Sequence, residues 1–444
     1  MSAWAGAAAI AALLTWAGPA RGNGALPASF GILLPTDRPQ QVVLATNFGM
    51  IISEDGGASW RWTCEQAETS FGYLYGIGPA PRDRFYGLSP EQGLSFSDDG
   101  SCSWQRAGGV LADLVASDFF VDRSNAQRVL ALAAVIDPDG GDIGPPALFE
   151  STDAGTTFGA APLYSAPAGA NIVSVEIARS NPMVVYMAMY RTPERHPRLL
   201  RSSDGGRTWM ERDVEAAGVG AREFRILTVD PDDADVLYLR VVGMGTETVM
   251  VTRDGGMTFA TPVTITGGTL SAFLRMASGT VLVGGLVNLG TGGMNGVAYR
   301  STDGGHTFVP WTLTPQQPHI LGLAERDGVL YLAGKNYSDG WALATSRDEG
   351  ATVTRLSSYE DVRGVMPCAM SICGDQCQLV AMQAVWTKDV CTGALLDAGV
   401  SDGGAPPPGG SGCHCAAGEA ASYGALAVWV LLGGALAMRR RRRV

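Results

Sequence analysis

The stretch Ser301-Thr-Asp303-Gly-Gly305-His-Thr-Phe308 is one copy of an eight-residue pattern that recurs along the chain. The pattern is a hydroxyl residue, any residue, Asp, a small residue, Gly, any residue, Thr or Ser, and an aromatic residue. We call each copy a box. The seven box aspartates are Asp55, Asp99, Asp153, Asp204, Asp254, Asp303 and Asp348. They lie 44, 54, 51, 50, 49 and 45 residues apart, a period that indicates an internal repeat.

Each box position has a physical role in a tight turn. The Asp carboxylate can accept hydrogen bonds from backbone N–H groups of the turn, and glycine adopts backbone angles that are closed to residues with a Cβ atom. The aromatic residue then begins the outgoing strand and buries apolar surface. Six boxes have this residue: Trp60, Trp104, Phe158, Trp209, Phe259 and Phe308. The box aspartates are therefore predicted to be structural.

Strand signals flank the boxes in the order that a propeller blade needs. Apolar runs such as residues 41–45, 184–188 and 236–239 are separated by turn clusters, and no long helical periodicity interrupts them. A period of this length fits one four-stranded blade. The sequence therefore predicts an all-β fold, a seven-bladed β-propeller of four-stranded antiparallel blades, over residues 25–392.

The boxes resemble those of the Asp-box (BNR, sialidase-like) propellers, over roughly residues 28–366. That group includes sialidases, two-lobed xyloglucan-degrading enzymes, sortilin-type receptor propellers and a photosystem assembly factor. The resemblance implies boxes on the blade periphery, away from a ligand face at the top of the central channel. The second box departs from the pattern with Ser101 in place of its second glycine, and the seventh has Val353 in place of the aromatic residue.

The cysteines fall into three groups along the chain. Those of the first two groups are disulfide candidates in an exported protein: Cys64, Cys102, Cys368, Cys373, Cys377 and Cys391. Cys64 and Cys102 lie in consecutive blades and are candidates for an inter-blade bridge, while the other four allow three connectivities. No second pair with zinc-ligand spacing accompanies Cys373 and Cys377, so no metal site is predicted.

Residues 367–392 form a cysteine-rich closing segment. Within it, residues 368–372 and 378–385 are predicted to be two further strands around a turn at 374–376. Two alternatives stay open from the sequence. The hairpin either completes blade seven and is locked to the ring by disulfides, or it is the remnant of an eighth blade.

Both ends of the chain carry targeting signals. Residues 1–20 contain no charge and end in small residues, which predicts a signal peptide cleaved near Ala20. Residues 393–412 form a linker rich in Gly and Pro. Residues 420–438 are apolar apart from Ser422, which predicts a transmembrane helix, and the arginines at 439–443 mark its cytoplasmic end.

Residues 413–444 combine Cys413 and Cys415 with this apolar helix and the arginine run. The combination resembles the C-terminal sorting tail of myxobacterial surface proteins (MYXO-CTERM). It implies recognition by a sorting or processing enzyme, cleavage and lipid attachment at one of the two cysteines, and display at the cell surface. The alternative is a plain membrane anchor that is retained.

Net charge and histidine spacing limit which partners and cofactors the sequence predicts. The formal net charge is −11 although five arginines stand near the C-terminus, so the body of the protein is acidic and nucleic acid is not a predicted partner. The four histidines show no metal-ligand spacing, and no cofactor is predicted.

Catalysis would need residues outside the boxes. Sialidases have an Arg-Ile-Pro element before the first box, whereas Arg38 stands here in Thr36-Asp-Arg38-Pro39 and lacks the apolar residue. Tyr359 and Glu360 match a Tyr-Glu nucleophile pair superficially, but neighbours in a strand point to opposite faces, so a surface position is predicted. The xyloglucan-degrading enzymes use two propellers across a cleft, and this chain has one.

Two functional hypotheses remain. The first is an exported, surface-displayed, non-catalytic propeller that binds a protein or glycan partner through its top face. The longest predicted top-face stretches are residues 105–150 and 159–201. The second is a secreted glycoside hydrolase, sialidase-like or of another BNR type, with catalytic residues that the sequence does not reveal.

Overall fold

Seven blades, each with four antiparallel strands, form a β-propeller in the computed structural model, and the sheet of blade one has a fifth, parallel strand. The structure describes residues 27–65, 74–80, 84–89, 93–135, 144–191, 196–288, 290, 293–313 and 317–392. These residues fall within one compact unit, Pro27–Val400. Each blade is built from one continuous stretch of chain, so the predicted fold class and blade count are confirmed.

The blades follow one another in sequence order. The first two consist of β1 to β4 (Ser29–Leu33, Val42–Thr46, Gly49–Ser53, Trp60–Thr63) and β5 to β8 (Leu74–Ile77, Phe85–Ser89, Gly93–Ser97, Gln105–Arg106). The next six strands are β9 to β14 (Gly108–Gly109, Val115–Val121, Val129–Ala134, Ala147–Ser151, Thr157–Phe158, Tyr164–Ser165). Of these, β9 and β13 pair in parallel with each other, and the other four form blade three.

Blades four to seven have the same plan. Their strands are β15 to β18 (Ala170–Ile177, Val185–Arg191, His196–Ser202, Met210–Asp213), β19 to β22 (Glu223–Val229, Leu237–Gly243, Thr246–Thr252, Ala260–Thr266), β23 to β26 (Gly268–Arg275, Val281–Asn288, Met294–Ser301, Val309–Pro310) and β27 to β30 (Gly322–Arg326, Val329–Ala333, Leu343–Ser346, Thr354–Ser357). The first strands of most neighbouring blades contact each other around the centre of the ring.

The core of the protein lies between the blades. The second strands of blades one to three, β2, β6 and β11, are buried along their whole length, because each blade packs against a neighbour on both faces. Such strands carry continuous apolar runs, for example Val-Leu-Ala-Leu-Ala-Ala in β11, and not the alternation of a strand with one solvated face. The apolar clusters accordingly join residues of adjacent blades.

Every box is a turn between the third and fourth strands of its blade, and all seven make the same four hydrogen bonds. In the fourth box, one oxygen of Asp204 accepts the backbone N–H of Thr208 and the hydroxyl of Ser202, both at 2.8 Å. Its other oxygen accepts the Thr208 hydroxyl at 2.6 Å. The Ser202 hydroxyl oxygen accepts the N–H of Gly206 at 2.8 Å. The aspartate thus orders the turn, as its position in the pattern predicts.

The fourth and fifth box positions have left-handed backbone angles in every copy. Glycine occupies most of them, but Ser101, Ala154 and Glu349 adopt φ values of 78°, 58° and 51°. A left-handed non-glycine residue costs roughly 1–2 kcal/mol. The second box keeps the same turn although it lacks its second glycine, since Ser101 adopts the glycine geometry.

Two of the boxes also connect their blade to the one before it. The carbonyl oxygen of Ala154 in blade three accepts the hydroxyl of Tyr86 in blade two at 2.9 Å. The carbonyl oxygen of Gly304 in blade six accepts the hydroxyl of Tyr238 in blade five at the same distance. This use of the fourth position was not predicted, because a backbone acceptor leaves no side-chain signal in the sequence.

The ring closes without a strand shared between the first and last blades. After blade seven, β31 (Val362–Val365) pairs in parallel with β4 on the outer edge of blade one. Between β30 and β31, Tyr359 lies in a short 3-10 helix, Tyr359–Asp361. Its hydroxyl lies 2.9 Å from the Ser29 hydroxyl at the start of β1. Residues that are 330 positions apart therefore meet at this seam.

The closing segment is helical, so the predicted hairpin is wrong. Besides the short α1 in blade seven (Asn336–Asp339), the chain forms a 3-10 turn, Pro367–Ala369, followed by α2 (Met370–Met382) and α3 (Asp389–Thr392). The buried residues of α2 are Cys373, Cys377 and Val380, at helical spacing. That spacing is a helix signal in the sequence. The helices exclude a remnant eighth blade within residues 367–392.

Three disulfides hold the closing segment. They join Cys64 to Cys373, Cys102 to Cys368, and Cys377 to Cys391, with Cα–Cα distances of 5.4, 5.5 and 5.5 Å. The predicted Cys64–Cys102 bridge is therefore wrong, because each of these cysteines reaches a different residue of the closing segment. The segment is bound covalently to both blade one and blade two.

Several predicted elements lie outside the described residues. These are the signal peptide 1–20, the linker 393–412, Cys413, Cys415, the apolar segment 420–438 and the arginine run 439–443. Among the residues that the structure does describe, no helix is long and apolar enough to cross a bilayer.

Removing the two disulfides between the closing segment and the blades should open the seam. Replacing Cys64, Cys102, Cys368 and Cys373 by alanine removes bonds that join residues 309 and 266 positions apart. We expect the free energy of unfolding to fall by about 2–5 kcal/mol per bond. Hydrogen exchange should accelerate in β4 and β31. In the control, Cys377→Ala with Cys391→Ala opens only a 14-residue loop and should leave exchange in β4 unchanged. Equal acceleration in both variants would contradict the assignment of the seam.

The strained third box offers a stabilising substitution. Ala154→Gly should raise the free energy of unfolding by about 0.5–1 kcal/mol, because glycine adopts a φ of 58° without a Cβ clash. Ala160 is exposed and has no positive φ, so Ala160→Gly is the matched control and should be neutral or destabilising. Urea denaturation of both variants measures the difference.

Candidate functional site

The ends of the blades opposite the boxes form the top face. This face carries the connections between second and third strands and those between consecutive blades. The predicted long top-face stretches, 105–150 and 159–201, include blade strands from β10 to β17, so that prediction is wrong in extent. Their top-face parts among the described residues include 135, 144–146 and 166–169, whereas Gly108 and Gly109 pair with residues of the third box.

Carboxylates on several blades reach the first strand of the next blade. An oxygen of Asp118 on β10 accepts the backbone N–H of Val175 at 2.9 Å. Glu176 on β15 accepts the N–H of Val229 at 2.7 Å and the hydroxyl of Thr228 at 2.9 Å. The first strand of each blade is an edge strand, whose N–H groups on the channel side have no partner strand. These carboxylates supply the missing acceptors.

The same device continues to blade six. Glu247 on β21 accepts the N–H of Leu270 on β23 at 2.7 Å, and Arg240 pairs with the same carboxylate at 2.6 Å. Sequence reasoning missed this set of carboxylates, because each one contacts a residue between 23 and 57 positions away and no short motif marks it.

Burial shifts the titration of two of these groups. Burial raises the pKa of Glu176 to about 7, against the opposing effect of the hydrogen bonds from Val229 and Thr228, and the charge of Asp118 adds to the rise. Burial also raises the pKa of Asp118, although the Val175 N–H and the Arg225 charge oppose it. Two interacting carboxyl groups that titrate near neutral pH are a feature of acid–base catalysts as well as of buried structural groups.

The box aspartates have the opposite electrostatics. Hydrogen bonds from the backbone and hydroxyl of Thr352 and from the hydroxyl of Ser346 lower the pKa of Asp348 to about 2. A carboxylate that is charged at neutral pH, with both oxygens occupied by its own turn, is a poor proton donor.

A fixed polar link joins the tops of blades six and seven. His319 Nε2 lies 2.8 Å from the carbonyl oxygen of Met294, and Nδ1 lies 2.8 Å from Oδ1 of Asp339. The other Asp339 oxygen accepts the backbone N–H of His319 at 3.1 Å and that of Lys335 at 2.8 Å. The link holds two exposed apolar side chains on a rigid base: Tyr337, 49% exposed, and Met294, 37% exposed. We call Met294 and Tyr337 the blade six–seven patch.

The pair Tyr359 and Glu360, which matches a nucleophile pair only superficially, occupies a structural position. Tyr359 is fully buried, in contrast to the predicted surface position, and its ring packs against Phe48 and Tyr337. Glu360 is exposed and accepts hydrogen bonds from Asn336. The pair lies in a 3-10 helix and not in a strand.

Arg38 lies at the box end of blade one, away from the top face. It donates to the side chain of Gln41 at 2.9 Å and stacks on the ring of Phe85 at 5.2 Å. Within the described part of the chain, no three His, Cys, Asp or Glu residues are placed to hold a metal ion. Cys373 and Cys377 are both in disulfides.

No protein-family model matches the chain. No curated protein matches it either. Among solved structures, a GH74 enzyme from Niastella koreensis is similar to it with a TM-score of 0.53 and 15% identity, over 76% of this chain and 55% of the enzyme. A YCF48 protein from Cyanidioschyzon merolae matches with a TM-score of 0.43 and 14% identity, over 69% of this chain and 92% of that protein.

These likenesses concern the propeller fold. The chain spans little more than half of the GH74 structures, 55%, 58% and 54% of three of them. At identities of 14–16% the similarity carries no residue roles.

The raised pKa of Glu176 predicts a pH-dependent stability. The folded state binds this proton up to about pH 7, whereas an unfolded glutamate releases it near pH 4.3, so the stability from this group is lost as the pH rises through that window. Glu176→Gln keeps an acceptor for Val229 and should flatten the decline. Urea denaturation between about pH 4.5 and pH 7.5 measures it. Glu54 is exposed, and Glu54→Gln should keep the wild-type slope.

Proposed function

We propose that this protein is an exported, envelope- or surface-displayed propeller that binds a protein or glycan partner through its top face without catalysis. The observation that carries the proposal concerns three carboxylates, Asp118, Glu176 and Glu247, which we call the inner carboxylates. Asp118, Glu176 and Glu247 each accept a backbone N–H of the next blade, so they act as ties between blades. Contacts that fix a carboxylate on the neighbouring blade favour a structural role over proton exchange with a substrate.

Export is supported by the disulfides. Three of them join all six cysteines of the described residues, which is typical of proteins outside the cytoplasm. Display at the membrane rests on the apolar segment 420–438 and on the tail with Cys413 and Cys415. A sorting or processing enzyme would be the partner of that tail.

Binding is supported by the blade six–seven patch. Tyr337 and Met294 are exposed while their backbone is held by His319 and Asp339, so little conformational entropy is lost when a partner covers them. Exposed aromatic residues on a rigid base are common contact points in interfaces.

The second candidate function is glycoside hydrolysis. It is favoured by the interacting pair Asp118 and Glu176, whose raised pKa values place them in the range of a general acid. In that case the backbone contacts of the two carboxylates would orient them, and a substrate would have to reach them from the channel.

One experiment separates the two functions. The purified protein is incubated with aryl glycosides and sialosides, beside the variants Asp118→Asn and Glu176→Gln. We expect no turnover by any of the three proteins. Turnover by the wild type that either substitution abolishes would replace the binding proposal with the hydrolase.

A binding measurement tests the top face directly. The labelled propeller is titrated onto envelope preparations of cells that lack the protein, and saturable binding is expected. Tyr337→Ala should weaken it about tenfold, the scale of an interface anchor. Met257 is 63% exposed but lies in the fifth box, at the opposite end of its blade, so Met257→Ala is the matched control and should bind normally. Weakening by Met257→Ala alone would move the binding surface away from the top face.

A further inference from the structure

An open pocket of about 330 Å³ lies at the seam where the ring closes. Its walls come from three parts of the chain: the first box and the strand after it, the last strand of blade seven, and β31 with the residue before it. The lining includes Gly57, Trp60, Arg355, Leu356, Asp361 and Arg363. The pocket does not include the inner carboxylates or the two residues of the blade six–seven patch, although Tyr337 packs against Tyr359, two residues before Asp361.

The walls of this pocket are fixed by the closing contacts. Trp60 is 2% exposed, and its indole N–H donates to the carbonyl oxygen of Gly57 at 3.1 Å. Gly57 has a φ of 99°, and a Cβ atom there would come within 2.7 Å of the Leu356 side chain. The wall between the first box and blade seven therefore has no room to collapse further.

The charges in the pocket are not balanced. Asp361 is already paired, since its Oδ2 accepts from Arg355 at 2.6 Å and from the backbone N–H of Ser358 at 2.7 Å. Arg363 makes no hydrogen bond or ion pair with any residue that the structure describes. The pocket thus has a net charge of one positive unit on a protein whose formal charge is −11.

The backbone turns Arg363 out of the sheet. The pairing of β31 with β4 shifts register between Val362 and Gly364, so Arg363 is the extra residue of a bulge. Bulges re-aim a side chain away from the ladder. Arg355 contributes further donors, because both of its hydrogen bonds to described residues use Nη2, which leaves Nε and Nη1.

We propose that the seam pocket binds the carboxylate of a small hydroxy acid, up to the size of a monosaccharide. The guanidinium of Arg363 pairs with the carboxylate, and Nε and Nη1 of Arg355 donate to the same ligand. Planar guanidinium groups match carboxylates in geometry. One net positive charge favours a monoanion over a phosphate dianion, and Oδ1 of Asp361 is placed to accept a ligand hydroxyl. The volume is at the lower end of the range for small-molecule sites.

The test uses sodium D-glucuronate as the probe and D-glucose as the neutral control. Titration calorimetry or ligand-observed NMR on the full protein should show saturable glucuronate binding at roughly millimolar affinity, since Arg355 is 52% exposed and the ion pair is partly screened. Binding should weaken as salt is added. Glucose should not bind.

Two matched variants locate the site. Arg363→Gln keeps most of the side chain and removes the charge, and it should weaken glucuronate binding about tenfold. Arg179 is exposed on a different blade, and Arg179→Gln removes the same charge outside the pocket and should bind as the wild type does. Thermal unfolding of both variants should match the wild type, because both side chains are on the surface.

The proposal is overturned by any of three results. These are no saturable binding of glucuronate, equal binding of glucose, and equal affinities of the wild type and Arg363→Gln. None of them bears on the top-face proposal, because Tyr337 and Arg363 are tested with different ligands.

Discussion

The parallel pairing of β31 with β4 is the contact that turns seven blades into a closed ring. Each blade is complete in itself, so β27 and β1 meet only by packing, without a strand that belongs to both. Bringing together residues that are more than 300 positions apart costs chain entropy. The closing strand, the Tyr359–Ser29 contact and two disulfides offset that cost at one place. Since disulfides persist in oxidising compartments, the closed ring is most stable in such a compartment.

The channel side of the ring has a different problem. Seven first strands present edge N–H groups there, and an unpaired buried N–H costs about 1–3 kcal/mol. Asp118, Glu176 and Glu247 satisfy three of these groups. The acidic side chains that a functional reading would place in an active site therefore also explain how blades three to six stay in register. The number of carboxylates near the channel fits either role, and it is their hydrogen bonds to N–H groups of the next blade that favour a structural one.

The boxes made the blade count predictable because everything in a box is local. Asp204 contacts residues within four positions, so one stretch of sequence contains the whole turn. The pairing of Cys64 with Cys373 has no such local record, and the nearer cysteine Cys102 was the natural partner to expect. The helix α2 was missed because its buried stripe is short, although the spacing of Cys373, Cys377 and Val380 contains the signal. The contacts of the inner carboxylates form only when consecutive blades pack together, and the seam pocket forms only when the last blade meets the first.

Closure and the proposed ligand site are linked through the same strand. The seam pocket has walls from the first box, from blade seven and from β31 with the residue before it, so it is intact only while the ring is closed. A ligand that binds the closed ring and not the open one stabilises closure by mass action. The bulge at Arg363 would then have two opposite effects on the stability of the closed ring. It leaves one residue of β31 without a partner in β4, which weakens the pairing of the two strands. It also supplies the unpaired positive charge through which a bound acid would restore that stability.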